Sequence, residues 1–187
     1  MKVRRRERIA LLRGKVPTPT GPGQHWSIDF VHDQMHDERR FRILTLIDQC
    51  SRESVSLEAN FRLTGRSVGL ALDQASRQRG LPRAITVDNG TALPPGRWTI
   101  GPTSAASSSI TPARQPTDNG LIESFNGRLR DEFLNLNEFV TMDDLRVKLW
   151  VWQEDYNHRR PHGSLANLTP SEFARTRSGP TNGAALF

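Results

Sequence analysis

Residues 26–31 read Trp-Ser-Ile-Asp-Phe-Val, and this stretch decides the fold. Its bulky side chains Trp26, Ile28 and Phe30 fall at every second position, which is the period of a half-buried β-strand. A polar turn over 36–40 leads into a second segment, Phe41 to Ile47, that is rich in β-forming residues, and Val55 and Leu57 mark a third. Because the gaps between the segments are short, we expect an antiparallel meander of three strands.

A helix and a fourth strand follow the meander. Thr64 is a suitable N-cap for a helix that runs to about Arg79, and Gly80 is a typical residue to end it. Residues 84–87 are then a short apolar strand, which ends at the turn sequence Asp-Asn-Gly. The order βββαβ requires a crossover between strands and therefore predicts a mixed sheet in an α/β domain.

The segment 91–115 has a different composition from its surroundings. It holds four prolines and a run of serines and alanines, and it shows neither a helical nor a strand period. We therefore expect it to be irregular. Regular structure is predicted again from Thr117, with one helix whose apolar face includes Phe125 and Leu129 and a second over about 142–156.

Composition limits the possible partners and compartments. The chain has 26 Lys and Arg against 20 Asp and Glu, a formal net charge of +6, which makes nucleic acid the first partner to consider. Cys50 is the only cysteine, so an internal disulfide is excluded and a cytoplasmic location is natural. The chain lacks an apolar run long enough to span a bilayer, so we expect no membrane partner.

We divide the chain into a basic N-terminal arm over 1–24, a core over 25–174 and a flexible tail over 175–187. The arm has five basic residues within its first eight, followed by three prolines. Two interpretations of the arm stay open: a solvated, frayed terminus, or a segment that contacts the DNA backbone.

Three carboxylates are candidates for a shared site. Asp29 lies within a strand, Asp88 ends a buried strand, and Glu123 lies on a helix. Taken singly, each is more simply explained as a solvated or turn residue. Together, two strand-borne Asp and one helix-borne Glu form the type of cluster that holds two Mg²⁺ ions for phosphoryl-transfer chemistry. The polar stripe around Glu123, formed by Asn119, Asn126 and Arg130, would then line the cleft.

The motifs of residues 25–174 resemble the transposases of bacterial insertion sequences and, more remotely, the retroviral integrases. The resemblance rests on short ordered motifs: Trp26–Val31, Leu46–Asp48, Ser51–Glu53, Gly80–Pro82, Val87–Gly90, Pro116–Gly120, Ile122–Arg130, Tyr156–Asn157, Arg160–His162, Ser164–Leu165 and Leu168–Pro170.

This resemblance implies an RNase H-like fold, an α/β domain with a mixed five-stranded sheet flanked by helices. It implies that Asp29, Asp88 and Glu123 are the catalytic, metal-binding triad of a DDE polynucleotidyl transferase that uses Mg²⁺ or Mn²⁺ at a two-metal site. The implied partners are transposon ends and target DNA, with a homo-oligomer in a synaptic complex and a nucleoid-associated location. The resemblance places Arg130 near the substrate DNA, and the other candidate DNA contacts are Asn119, Asn126, Arg128, Arg159 and Arg160.

The chain departs from the family in one respect. Between Asp88 and Glu123 lie 34 residues, one fewer than in the family, and the difference falls within 91–115. Codons can be chosen for 93–114 that, read two nucleotides later, encode a family-like amphipathic helix and strand. We therefore hypothesise a one-nucleotide deletion near Ala92 that was compensated by a two-nucleotide deletion near Gln115. The fifth strand lies in this segment, so we expect it to be absent or irregular and the active site to be impaired.

Several functions remain open on this basis. The chain is an active transposase core, or a decayed relative that binds DNA without cutting it. Alternatively, it is a non-catalytic DNA-binding module built on the basic arm and residues 158–160, or an RNase H-like nuclease of another type that prefers RNA–DNA hybrids. The helix-turn-helix that usually precedes the family's core is not visible, and we therefore expect an isolated domain or a fragment. DNA binding should be salt-sensitive and largely independent of sequence.

Overall fold

A computed structural model describes residues 18–87, 109–112 and 116–177, with side chains over 18–87 and 120–177. The described strands form one five-stranded sheet in the order β3-β2-β1-β4-β5. Strands β1, β2 and β3 are antiparallel, whereas β4 runs parallel to β1 and β5 parallel to β4. The strands are β1 His25–Gln34, β2 Arg40–Asp48, β3 Ser54–Asn60, β4 Ala84–Val87 and β5 Ser109–Pro112.

Helices cover the sheet on both faces. The helices are α1 Gly65–Arg79, α2 Pro116–Glu132, α3 Met142–Arg159 and α4 Pro170–Arg177, with short 3-10 turns at Leu134–Leu136 and Gly163–Leu165. None of the helices in the described part of the chain has the length and apolarity needed to cross a membrane.

Local signals account for the bounds of α1. The Thr64 side chain accepts a hydrogen bond from the Ser67 amide at 3.3 Å, which caps the first turn. Gly80 ends the helix with φ +84°, a backbone conformation that residues other than glycine rarely adopt. Both boundaries agree with the sequence prediction.

Strand alternation separates the core into two layers. Trp26 and Ile28 of β1 pack with Leu72 of α1 on one face. Val31 of β1 packs with Phe125 of α2 and with α3 on the other. Odd-numbered positions of β1 therefore face α2 and α3, and Asp29 belongs to this set.

Two expectations about the limits of regular structure need correction. Residues 109–112 form a regular strand paired with β4, so the fifth strand is present and the segment 91–115 is not irregular throughout. Main-chain pairing along the free edge of β4 explains this, because it does not require an apolar period in the added strand. The remainder of that segment, which we also expect to be irregular, lies outside the described residues.

The end of the N-terminal arm is attached to the sheet. The Gly23 amide donates to the Asp48 carboxylate at 2.7 Å, and the Gln24 carbonyl accepts from the Arg83 amide at 2.7 Å. Residues 1–17, which carry the basic cluster, lie outside the described residues, so both interpretations of the arm stay predictions.

Candidate active site

Asp29 lies in the central part of the sheet, on the strand next to β4. The parallel register of β1 and β4 pairs Ile28 with Val87, and these residues immediately precede Asp29 and Asp88 in the sequence. We predict that the two aspartates lie on neighbouring strands, and the pairing of β1 with β4 agrees with this as far as Val87. Asp88 itself lies outside the described residues, and the closeness of the two carboxylates stays a prediction.

Asn126 of α2 contacts Asp29 directly. Its Nδ2 donates to Oδ2 of Asp29 at 2.8 Å, across 97 residues of sequence. Asn126 is 8 % exposed, and its Oδ1 is buried without a hydrogen-bond partner in the described structure. An amide that donates to a carboxylate orients that carboxylate and stabilises its charged form. Asn126 thus faces Asp29, and its predicted contact with DNA, which came from its place in the polar stripe, stays a prediction.

The predicted polar stripe of α2 is present, with different environments along it. Glu123 precedes Asn126 by three residues and Arg130 follows it by four, so all three lie on one side of the helix. Glu123 and Arg130 are exposed, whereas Asn126 is buried. Asn119 lies on the same helix, but its side chain is outside those described. The bond from Asn126 to Asp29 directs this side of α2 towards β1.

The oxygen atoms of Asp29 and Asn126 are suitable ligands for a hard divalent cation. Asp29 supplies a half-buried carboxylate, and the unpartnered Asn126 Oδ1 is a second oxygen acceptor beside it. Mg²⁺ prefers such oxygen ligands and retains several waters, so few protein ligands are required. Among the described residues, no group of three His, Cys, Asp or Glu is close enough to hold a metal. A complete triad depends on Asp88, which is not among them.

The arginines predicted to contact DNA differ in their surroundings. Arg128 and Arg159 are exposed. Arg160 is half-buried and already paired, with Nε donating to Asp155 Oδ2 at 2.6 Å and Nη1 donating to Glu132. Arg160 therefore has a structural role that its position in a basic run did not indicate, and its DNA contact stays a prediction.

Several motif residues prove to be structural. The Asn157 side chain accepts from the Ser54 amide at 2.8 Å and donates to the Ser54 carbonyl at 2.9 Å, which attaches α3 to β3. Glu53, with a side chain 6 % exposed, accepts both from Arg79 at 2.8 Å and from Ser171 at 3.1 Å. The sequence alone indicates no structural role for these motifs, because partners 26 to 118 positions apart leave no local signal.

Comparison with known proteins identifies the class to which this fold and site belong. Two models, both described as integrase core domain, match residues 19–94 and 105–170. The chain belongs to the integrase core domain family. The residues between the two matches, 95–104, fall inside the segment whose length and composition depart from the family.

Proteins of bacterial insertion elements are similar to this chain over nearly its whole length. An uncharacterised 31.7 kDa protein of insertion element IS407 from Burkholderia multivorans is 36 % identical over 187 residues, covering 98 % of this chain and 67 % of the relative. An uncharacterised 39.2 kDa protein of IS476 from Xanthomonas euvesicatoria is 37 % identical over 185 residues, covering 97 % of this chain and 51 % of the relative. The chain thus spans between half and two thirds of these relatives.

Solved structures show the same fold. A chain of the simian T-cell lymphotropic virus intasome in complex with the PP2A regulatory subunit B56 gamma aligns with a TM-score of 0.67 and 23 % identity, covering 88 % of this chain and 58 % of that one. The HTLV-2 integrase catalytic core domain in complex with magnesium, in its dimeric form, gives 0.59 and 19 %, covering 82 % and 97 %. These similarities confirm the RNase H-like fold class.

Proposed function

We propose that this chain is the catalytic core of an insertion-element transposase that cleaves DNA and transfers strands with a divalent metal. The family membership supports a role in transposition. The observation that carries the catalytic part is the hydrogen bond from Asn126 to Asp29. This bond joins the side of α2 that bears Glu123 to the strand that bears Asp29, which supports the proposal that these two members of the triad share one cleft.

The third member, Asp88, is proposed from the register of the sheet. Ile85 and Val87 pack on the α1 side of β4. Because successive strand residues alternate between faces, the position after Val87 is expected on the side of the sheet that Asp29 faces. Asp29, Asp88 and Glu123 would then hold Mg²⁺ or Mn²⁺ between them. The metal would supply electrostatic stabilisation of the charge that develops on the phosphate oxygens.

Residues of this chain would position the carboxylates and the DNA. Asn126 orients the Asp29 carboxylate, and the apolar side of α2 holds Glu123 in place through Phe125 and Leu129, which are both buried. Arg130, Arg128 and Arg159 are exposed and would neutralise DNA phosphates. We further propose transposon ends and target DNA as substrates, a homo-oligomeric synaptic complex and a nucleoid-associated location.

The test is a donor-DNA nicking and strand-transfer assay in Mg²⁺ and in Mn²⁺, with a DNA-recognition domain fused to the chain. We expect metal-dependent products that disappear in Asp29→Asn. The matched control is Asp33→Asn, which makes the same change further along the same strand, at a residue that bonds its neighbouring amide. Products that persist in Asp29→Asn, or a metal-independent reaction, would contradict the proposal.

A second function, DNA binding without cleavage, is favoured by the altered segment. The chain is one residue short between Asp88 and Glu123, and the family match is interrupted over 95–104. A metal site requires its ligands within about 0.5 Å of the productive geometry. Salt-sensitive DNA binding together with the absence of nicking in the unmodified chain, and nicking after restoration of the segment, would establish this alternative.

A further inference from the structure

Tyr156 lies where Arg52, Arg128 and His162 come together, on a different side of α2 from Asp29. The Tyr156 hydroxyl donates to the Arg52 carbonyl at 3.2 Å, and its ring meets that of His162 edge-on at 5.0 Å. The Phe125 ring packs on the Tyr156 ring at 5.1 Å, and Arg128 lies three residues further along the same side of α2. The turn before β3, helix α2 and the loop after α3 therefore meet at one point.

Two of these residues carry buried nitrogen atoms without hydrogen-bond partners. Arg52 is half-buried, and its Nη1 is inaccessible and makes no hydrogen bond in the described structure. His162 is 6 % exposed, and its Nε2 is also buried and unpartnered. Leaving a buried polar group unsatisfied costs about 1–3 kcal/mol, and more for a charged group. Such a combination indicates that an anion or another acceptor completes the site.

The nearby Asp48 carboxylate is already engaged elsewhere. It accepts from the amides of Gly23, Cys50 and Ser51, so backbone donors occupy both of its oxygens. Among the described residues, neither Arg52 nor Arg128 forms an ion pair, in contrast to Arg79 and Arg160.

Nearby positive charges add to the effect of burial on the pKa of two of the side chains. Burial lowers the pKa of His162, and the guanidinium groups of Arg128, Arg52 and Arg160 lower it further. Burial also lowers the pKa of Arg160, with Arg128 acting in the same direction. Converging positive charges destabilise one another, and a bound anion relieves that repulsion.

We propose that Arg52, Arg128 and His162 form a phosphate-binding site for the DNA backbone, separate from the Asp29 site. Guanidinium groups bind phosphate oxygens in a bidentate manner, and a half-buried arginine does so with little competition from water. The choice of DNA as the source of the phosphate rests on the proposed function. Free inorganic phosphate has the same chemistry, and the experiment distinguishes the two.

The first measurement is the binding of a fluorescein-labelled duplex of arbitrary sequence, in EDTA, over a series of NaCl concentrations. The logarithm of the affinity falls linearly with the logarithm of salt, and the slope decreases by about one for each lost phosphate contact. We expect Arg128→Gln to reduce the slope by about one and to bind roughly tenfold more weakly at low salt. Arg128→Lys, which keeps the charge, should retain the slope.

The matched control is Arg66→Gln, an arginine on α1, which covers the opposite face of the sheet. Equal slopes for Arg128→Gln and Arg66→Gln would overturn the proposal, as would a wild-type chain that does not bind the duplex. Arg52→Gln, if folded by circular dichroism, should behave as Arg128→Gln does.

The second measurement compares thermal unfolding in phosphate and in chloride at equal ionic strength. Stabilisation by phosphate that is lost in Arg128→Gln, together with an unchanged DNA slope, would identify a site for free phosphate and overturn the DNA assignment. Because the binding assay contains no metal, failure of nicking would count against the proposed function without affecting this result.

Discussion

Removal of the Arg79 guanidinium should destabilise the fold, because it leaves the buried Glu53 carboxylate without its charged partner. Arg79 Nη1 lies 2.8 Å from both oxygens of Glu53, whose side chain is only 6 % exposed. Breaking a fully buried ion pair costs about 3–5 kcal/mol. Arg79 is 40 % exposed, and Ser171 still donates to Glu53 at 3.1 Å, so we expect a loss somewhat below that range. We therefore expect Arg79→Gln to lower the free energy of unfolding by about 2–3 kcal/mol.

Urea denaturation followed by circular dichroism measures this loss, which corresponds to a fall of about 5–10 °C in Tm for a domain of this size. The matched control is Arg77→Gln on the same helix, whose pair with Asp73 spans 4.0 Å and is 78 % exposed on the arginine side. A surface pair of this kind contributes less than about 0.5 kcal/mol. Adding Glu53→Gln to Arg79→Gln should recover part of the loss. Equal stabilities of the two arginine variants would refute the reasoning.

Three further outcomes are expected. Asn126→Ala should weaken Mn²⁺ binding by about tenfold in electron paramagnetic resonance titrations, because the bond that orients Asp29 is lost; unchanged affinity would show that Asn126 is not a positioning residue. Burial raises the pKa of Tyr156 to about 12, so the folded state keeps this proton at pH values where the unfolded state releases it. The contribution of Tyr156 to the free energy of unfolding should therefore be constant below pH 10 and fall by about 2–3 kcal/mol between pH 10 and 12. Tyr156→Phe should remove this pH dependence in urea titrations. Restoring the alternative reading frame over 91–115 should increase donor-DNA cleavage in Mn²⁺ when both proteins carry the same recognition domain; equal rates would show that the segment is tolerated.

The parts of the fold that the sequence predicts are those with local signals. Alternation in residues 26–31 is sufficient to place β1, and Thr64 and Gly80 bound α1. The strand at 109–112 cannot be predicted, because it is stabilised by main-chain pairing with β4. The Pro- and Ser-rich composition of the segment gives no indication of that pairing.

In the candidate site, too, only the features with a local sequence signal can be predicted. The polar stripe on α2 follows from helical spacing, so Glu123 and Asn126 can be placed on one side of a helix in advance. The partner of Asn126 cannot, because Asp29 lies 97 positions away. Arg52 and His162 likewise both contact Tyr156, from distant parts of the sequence. That their nitrogen atoms lack hydrogen-bond partners can be recognised only once their burial is known.

Helix α2 runs without interruption from Pro116 to Glu132 and presents Asn126 to Asp29 on one side and Phe125 to Tyr156 on another. Each residue of a helix turns it by about 100°, so an insertion or deletion within this helix would rotate one set of contacts away from its target while leaving the other in place. A change of one residue ahead of Pro116 leaves the angular relation between the two sides intact. The length of the chain is therefore constrained inside α2 much more tightly than in the segment that precedes it, which is where this sequence departs from its relatives.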